Sequence, residues 1–244
     1  MPTGLNRFIP NRCVLCKLTT NNKISLCNCC ANDLEYFDYR QFDNLLLRPD
    51  IRQGIKKPRF DSLISLAPYQ WPFNQWITDL KFREQHQLGE LMARQLLRLV
   101  QNLLQASTDS SPDVILPMPI HRNRRFTRGY NQSKLIAEVL AKPLNIILDT
   151  QSLTRVKSTS AQSGLNKTDR QSNVKQAFAY QGPAYRHVAV IDDVITTGAT
   201  LNEVCRVLKE KGIERISVWT ICAVPLQKKE QKNRQKKKMG NRRD

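Results

Sequence analysis

The chain has 244 residues, room for one large domain or for a small module joined to a domain of ordinary size. Hydrophobic residues make up 40%, enough for a core, and no run approaches the roughly 18 consecutive apolar residues of a membrane helix, so no membrane span is expected. A formal net charge of +18 predicts attraction to polyanions: nucleic acid, acidic lipid or phosphorylated small molecules.

The segment Met1–Pro10 lacks the apolar stretch of a secretory leader, which predicts a cytoplasmic protein. Five of the seven cysteines lie between Cys13 and Cys30. In a cytoplasmic chain such a cluster reads as a metal site before it reads as disulfides. Cys13-x-x-Cys16 and Cys27-x-x-Cys30 are two knuckles whose spacing brings four thiolates within reach of one Zn²⁺. Cys29 can stand in for Cys30 in that set or remain a free thiol. A closed site of four thiolates is structural, and so short a module would draw its folding energy from the metal.

Residues 1–50 are therefore the expected zinc-binding module. Pro49 and the polar stretch 52–58 read as a connector, and an α/β domain is expected over 60–225. In it, Asn74–Phe82 and Leu88–Gln105 read as helices. Leu88, Leu91, Met92, Gln95, Leu96, Leu99 and Leu103 of the second fall on one stripe. Asp113–Leu116 reads as a buried strand. The positive cluster His121, Arg122, Arg124, Arg125 and Arg128 follows, suited to a pyrophosphate with its Mg²⁺, to a nucleic acid, or simply to solvent. Tyr130–Ala141 reads as a helix whose end Pro143 marks, and Ile146–Leu148 as a short strand. The polar segment Ser158–Asn173 reads as a long loop. His187–Ile191 is a strong strand, Leu201–Lys211 a helix stopped by Gly212, and Arg215–Val224 a further strand. A terminal strand–helix–strand unit implies a parallel sheet with helices on both faces. Residues 226–244 form an expected disordered tail: Gln227–Asp244 hold nine Lys/Arg, two acids and no aromatic residue to stack on bases.

The most informative stretch is Val188–Thr200. An apolar strand runs into Asp192 and Asp193, a loop of Thr196, Thr197, Gly198, Ala199 and Thr200 follows, and a helix begins. Ligands of open α/β sheets bind beyond the carboxyl ends of the strands. Backbone N–H groups at a helix start hold phosphate, Gly198 permits close approach, and threonine hydroxyls add donors. Two carboxylates would repel a phosphate but accept hydrogen bonds from vicinal hydroxyls. Such a loop suits ribose 5-phosphate. No Gly-x-x-x-x-Gly-Lys and no dinucleotide fingerprint competes with it.

This stretch resembles the 5-phosphoribosyl-1-pyrophosphate (PRPP) motif of type I phosphoribosyltransferases. The resemblance implies a parallel sheet flanked by helices, PRPP binding with Mg²⁺, Asp192 and Asp193 on the ribose hydroxyls as the catalytic pair, and Thr196 through Thr200 on the 5-phosphate. The segment Pro117–Ser133, Leu80-Lys81-Phe82, Leu153-Thr154-Arg155, Gln162–Leu165, Arg170 and Asn173 are similar to the ComF/GntX branch, as are the N-terminal cysteines. That branch is linked by name to competence and DNA utilisation. The counter-charge that a pyrophosphate needs puts Arg124, Arg125 or Arg128 against it, with Lys157 and Lys167 as further candidates, and Ser158–Asn173 is similar to the mobile flap of type I enzymes. Two readings follow: a transferase acting on PRPP, or a DNA-binding competence factor, with DNA or competence proteins as partners, for which PRPP is a regulatory ligand. The acceptor of a phosphoribosyl group is not legible.

Overall fold

The computed structural model describes residues 12–20, 26–107, 111–120, 129–157 and 176–226. The chain divides into two compact units, Met1–Tyr36 and Phe37–Asp244. A module boundary near residue 50 is therefore too late. The Tyr39 hydroxyl donates to the Ser65 carbonyl at 2.8 Å and accepts from the Ser65 N–H at 2.7 Å. The Asn44 side chain accepts from the Leu63 N–H at 3.0 Å and donates to the Asp61 carbonyl at 3.1 Å. These bonds make residues 37–52 part of the second unit.

In the first unit, the Cys13 N–H donates to the Leu18 carbonyl at 2.8 Å and the Lys17 N–H to the Cys13 carbonyl at 2.9 Å. Arg12 and Thr19 pair across this turn. Lys17 takes a positive φ of 64° within it. The short helix α1 (Asn28–Asn32) follows, with Cys27 as its N-cap.

The second unit opens with a 3₁₀ turn at Leu45–Leu47 and α2 (Pro49–Arg52). Next come β1 (Ser62–Pro68), α3 (Phe73–Phe82), α4 (His86–Ala106) and β2 (Val114–Pro117). α5 (Gln132–Leu144), β3 (Ile147–Leu148), β4 (Leu153–Arg155) and β5 (Phe178–Tyr180) follow. The last elements are β6 (His187–Ile195), α6 (Ala199–Glu210) and β7 (Arg215–Ala223).

Among the described residues, five strands form one sheet in the order β1-β7-β6-β2-β3, each neighbouring pair parallel. β4 and β5 form a separate antiparallel pair. Val188, Ala189, Val190 and Ile191 are all fully buried, as a central strand covered on both faces requires. Leu201, Val204, Cys205, Val207 and Leu208 of α6 share a core with Val188, Val190, Ile216 and Val218. That core contains no residue of α3, α4 or α5. α4 packs against both α3 and α5, and α4 and α5 also pack against the sheet, on the opposite face. The expected stripe of α4 is buried at Leu88, Leu91, Met92 and Leu96, and continues to Val100.

Two local readings change. Pro143 lies inside α5 and does not end it. A proline in the last turn removes one backbone hydrogen bond, and the stop comes from Asn145 in the left-handed conformation, φ 53°. The stretch 52–58 is not a free connector, because Asn202 fastens it to α6. Its side chain accepts from the Arg59 N–H at 2.9 Å and donates to the Lys56 and Lys57 carbonyls at 2.9 and 3.2 Å. No helix among the described residues is long and apolar enough to cross a membrane.

Candidate functional site

In the first unit the turn after Cys13 and the start of α1 bring four thiols together. The sulfurs of Cys13, Cys16, Cys27 and Cys30 all lie within 4.8 Å of one another. Cys29 is exposed and outside this set. Cys27 Sγ accepts the Cys30 N–H at 3.4 Å, which fixes the second knuckle. The Cys16 and Cys27 sulfurs are 3.8 Å apart. A tetrahedron with Zn–S bonds of about 2.3 Å has edges of about 3.8 Å, so this spacing fits the ion. The thiols also oppose one another as acids. Burial works against ionisation of Cys13, but backbone N–H groups of Cys27, Cys16 and Leu15 outweigh it and bring the thiol down to about 6. Its hydrogen bond with Cys27, then burial and the nearby Cys16 and Cys13, push Cys30 up to about 12. A divalent cation relieves this crowding of negative charge.

In the second unit β6 carries the acid pair. The strand continues past the predicted end at Ile191, because Val194 and Ile195 pair with Cys222 and Ala223 of β7. Asp192 and Asp193 are thus held inside a strand. Lys81, in the last turn of α3, pairs with Asp193 at 2.7 Å, Nζ to Oδ2. Asp192 Oδ1 accepts the Asp193 N–H at 2.9 Å and the Ser133 hydroxyl at 3.2 Å. Burial first, and the charge of Asp193 second, push the Asp192 carboxyl up to about 7. Lys81 and the two hydrogen bonds oppose that rise without cancelling it.

Asn131 sets the position of Ser133. It caps α5, its side-chain oxygen accepting the Ser133 and Lys134 N–H groups at 3.0 and 3.3 Å. Its amide donates to the Met118 carbonyl at 3.0 Å, tying α5 to the exit of β2. The Tyr130 hydroxyl donates to the Leu80 carbonyl, which joins the same segment to α3 beside Lys81.

After Ile195 the chain turns through Thr196 and Thr197 to Gly198, the N-cap of α6, with φ +73°. No side chain caps this helix start, so its backbone N–H groups are available to an anion. A Cβ on Gly198 would lie 2.7 Å from Ile55 Cγ2. Gly198→Ala should therefore destabilise the second unit by about 2–4 kcal/mol through the left-handed backbone and the clash. Urea unfolding monitored by tryptophan fluorescence would measure it.

A cleft of about 600 Å³ opens beside this site, not over it. His86, Pro119, Tyr130, Lys134, Thr154 and Arg155 are on its walls.

The profile of the phosphoribosyl transferase domain matches residues 127–241. Competence protein F of Haemophilus influenzae is 34% identical over 79% of this chain and 82% of its own length. DNA utilization protein YhgH of Salmonella typhimurium is 30% identical over 91% of this chain and 93% of its own. The chain belongs to the ComF family of phosphoribosyltransferase-like proteins. A crystal structure of adenine phosphoribosyltransferase from Saccharomyces cerevisiae aligns with a TM-score of 0.35 and 15% identity, over 55% of this chain and 69% of that one.

In this ComF-family chain, Asp192 and Asp193 lie within β6, near its carboxyl end, and the segment from Thr196 to Thr200 runs from that end into α6. Arg124, Arg125, Arg128, His121, Lys167, the flap Ser158–Asn173 and the tail from Gln227 lie outside the described residues. Lys157 bonds Gln176 Oε1 at 3.4 Å, and the Gln176 N–H donates to Glu203 Oε1 of α6 at 2.7 Å. Lys81, Asn131 and Ser133 had no assigned role in the sequence. The family-like segments Leu80–Phe82 and Pro117–Ser133 contained them, and that was the available signal.

Proposed function

We propose that this ComF-family chain binds PRPP at the end of β6 and transfers or recognises its 5-phosphoribosyl group. The observation that carries this reading is the acid pair on β6 followed, within one turn, by the uncapped start of α6 at Gly198. Asp192 and Asp193 accept hydrogen bonds from the ribose hydroxyls. The backbone at Gly198, Ala199 and Thr200 and the hydroxyls of Thr196, Thr197 and Thr200 hold the 5-phosphate. Arg124, Arg125 or Arg128 faces the pyrophosphate.

Magnesium fits as an ion carried by the ligand: it needs hard oxygen donors, and the described site offers two carboxylates but no six-oxygen cage. When bound with PRPP it neutralises charge on the pyrophosphate. The four thiols hold a structural Zn²⁺, for which the 3.8 Å sulfur spacing speaks. We place the protein in the cytoplasm and its role in the use of incoming DNA, in line with the names of its relatives. The second reading, a DNA-binding competence factor regulated by PRPP, is favoured by the net charge of +18. Pyrophosphate release in the presence of an acceptor separates a transferase from a regulated binder.

Isothermal titration with PRPP tests the site directly. Micromolar affinity that requires Mg²⁺ is the expected result. Absence of binding with and without Mg²⁺ would remove the ribose-phosphate assignment of this loop.

A further inference from the structure

The acid pair brings a problem of charge. Two carboxylates stand together where a polyanionic ligand must approach, and they repel it. Among the described residues the cation ion-paired to them is Lys81, at 2.7 Å from Asp193. Its side chain is 23% exposed and that of Asp193 12%, so the pair is mostly buried, with the ammonium the more open end. Because Asp193 is buried, the ammonium can leave it without a large penalty only when other hydrogen-bond donors take its place. Lysine carries its charge on a flexible four-carbon stem, which lets the ammonium move between acceptors while the helix stays still.

The direction of that movement follows from the two faces of the sheet. α6, whose first turn would grip the 5-phosphate, packs in the core that excludes α3, α4 and α5. Lys81 comes from α3 and so belongs to the other face. The Tyr130 hydroxyl holds Leu80 to the segment between β2 and α5, so Lys81 stands next to the stretch that leads out of β2. A ribose laid across Asp192 and Asp193 with its 5-phosphate at α6 turns its anomeric carbon toward that side.

We propose that Lys81 recognises the group on the anomeric carbon: it neutralises Asp193 in the free protein and transfers to the pyrophosphate when the ligand binds. This inference rests on the PRPP reading of the site. In the bound state Asp193 exchanges an ammonium for ribose hydroxyl donors, and the ammonium gains phosphate oxygens. The exchange couples the two halves of the ligand. Ribose 5-phosphate alone leaves Lys81 on Asp193, whereas PRPP offers it a better partner. Lys81 is thereby a specificity residue for a pyrophosphorylated sugar over the sugar phosphate.

The test compares three probes on the full chain at fixed Mg²⁺: PRPP, inorganic pyrophosphate and ribose 5-phosphate. Lys81→Met should weaken PRPP and pyrophosphate by roughly tenfold or more and leave ribose 5-phosphate within about threefold. Lys81→Arg should keep most of the discrimination. Thermal unfolding of each variant, close to that of the parent, verifies the fold. An equal loss for all three probes would mean that Lys81 only props Asp193, and the proposal would fall. No loss for any probe would overturn it as well. If the parent chain binds neither PRPP nor ribose 5-phosphate, the reading of the site fails first and takes this inference with it.

Discussion

Asp193→Asn should lower PRPP affinity by about 100-fold or more while leaving the fold intact. The substitution keeps the shape of the side chain and removes its charge. It takes away a charged acceptor for a ribose hydroxyl and leaves Lys81 without the carboxylate it holds at 2.7 Å. Lys81 is partly exposed and can turn to water, so the unfolding midpoint should move little. A second readout lies in the pH dependence of stability. The folded chain holds the Asp192 proton up to about 7. The unfolded chain releases it near about 3.9. Stability should thus fall as pH rises from about 4 to about 7, and this contribution should level off above that. Removing the charge of Asp193 removes the second cause of the raised Asp192 value, so the decline should become shallower. Urea titrations of both proteins across this range would measure the slopes. An unchanged slope together with unchanged affinity would end the assignment of a working acid pair.

Removal of zinc should unfold the first unit and spare the second. The described part of residues 12–36 has few buried apolar side chains, among them Leu26 and Leu34. A structural zinc contributes an apparent ~10–16 kcal/mol to such a module, which greatly exceeds what so small a core supplies. Hydrogen exchange in the presence of a strong chelator should show protection lost in the first unit and kept along β6 and β7. Cys30→Ser should abolish stoichiometric zinc, and Cys29→Ser should not, since Cys29 lies outside the thiol cluster. Retention of zinc by Cys30→Ser and its loss in Cys29→Ser would reverse the choice of the fourth ligand.

Much of this was legible in the chain because the chemistry is local. The acid pair, the threonines and Gly198 all fall between Asp192 and Thr200, and the two cysteine knuckles declare themselves by spacing. What escaped is long-range. Lys81 takes its meaning from an aspartate far along the chain, and Ser133 from Asp192. β1 gave no periodic signal because it is buried on both faces, and β4 and β5 are three residues each. The segment 52–58 is polar and turn-rich, as connectors are. The bonds from Asn202, on a helix near the other end of the chain, and the buried Ile55 hold it beside the turn at Gly198.

The same segment meets the described end of the chain. The Leu226 N–H donates to the Asp50 carbonyl at 3.0 Å, and Leu226 and Val224 lie against Gly54, next to the Ile55 that touches Gly198. The last described residue is thereby anchored near the turn at Gly198, and the sequence runs on from it into the nine Lys/Arg of Gln227–Asp244. The end of the described chain thus returns to α2, so a residue near the start of the second unit and one at its described end are joined by a hydrogen bond across the fold.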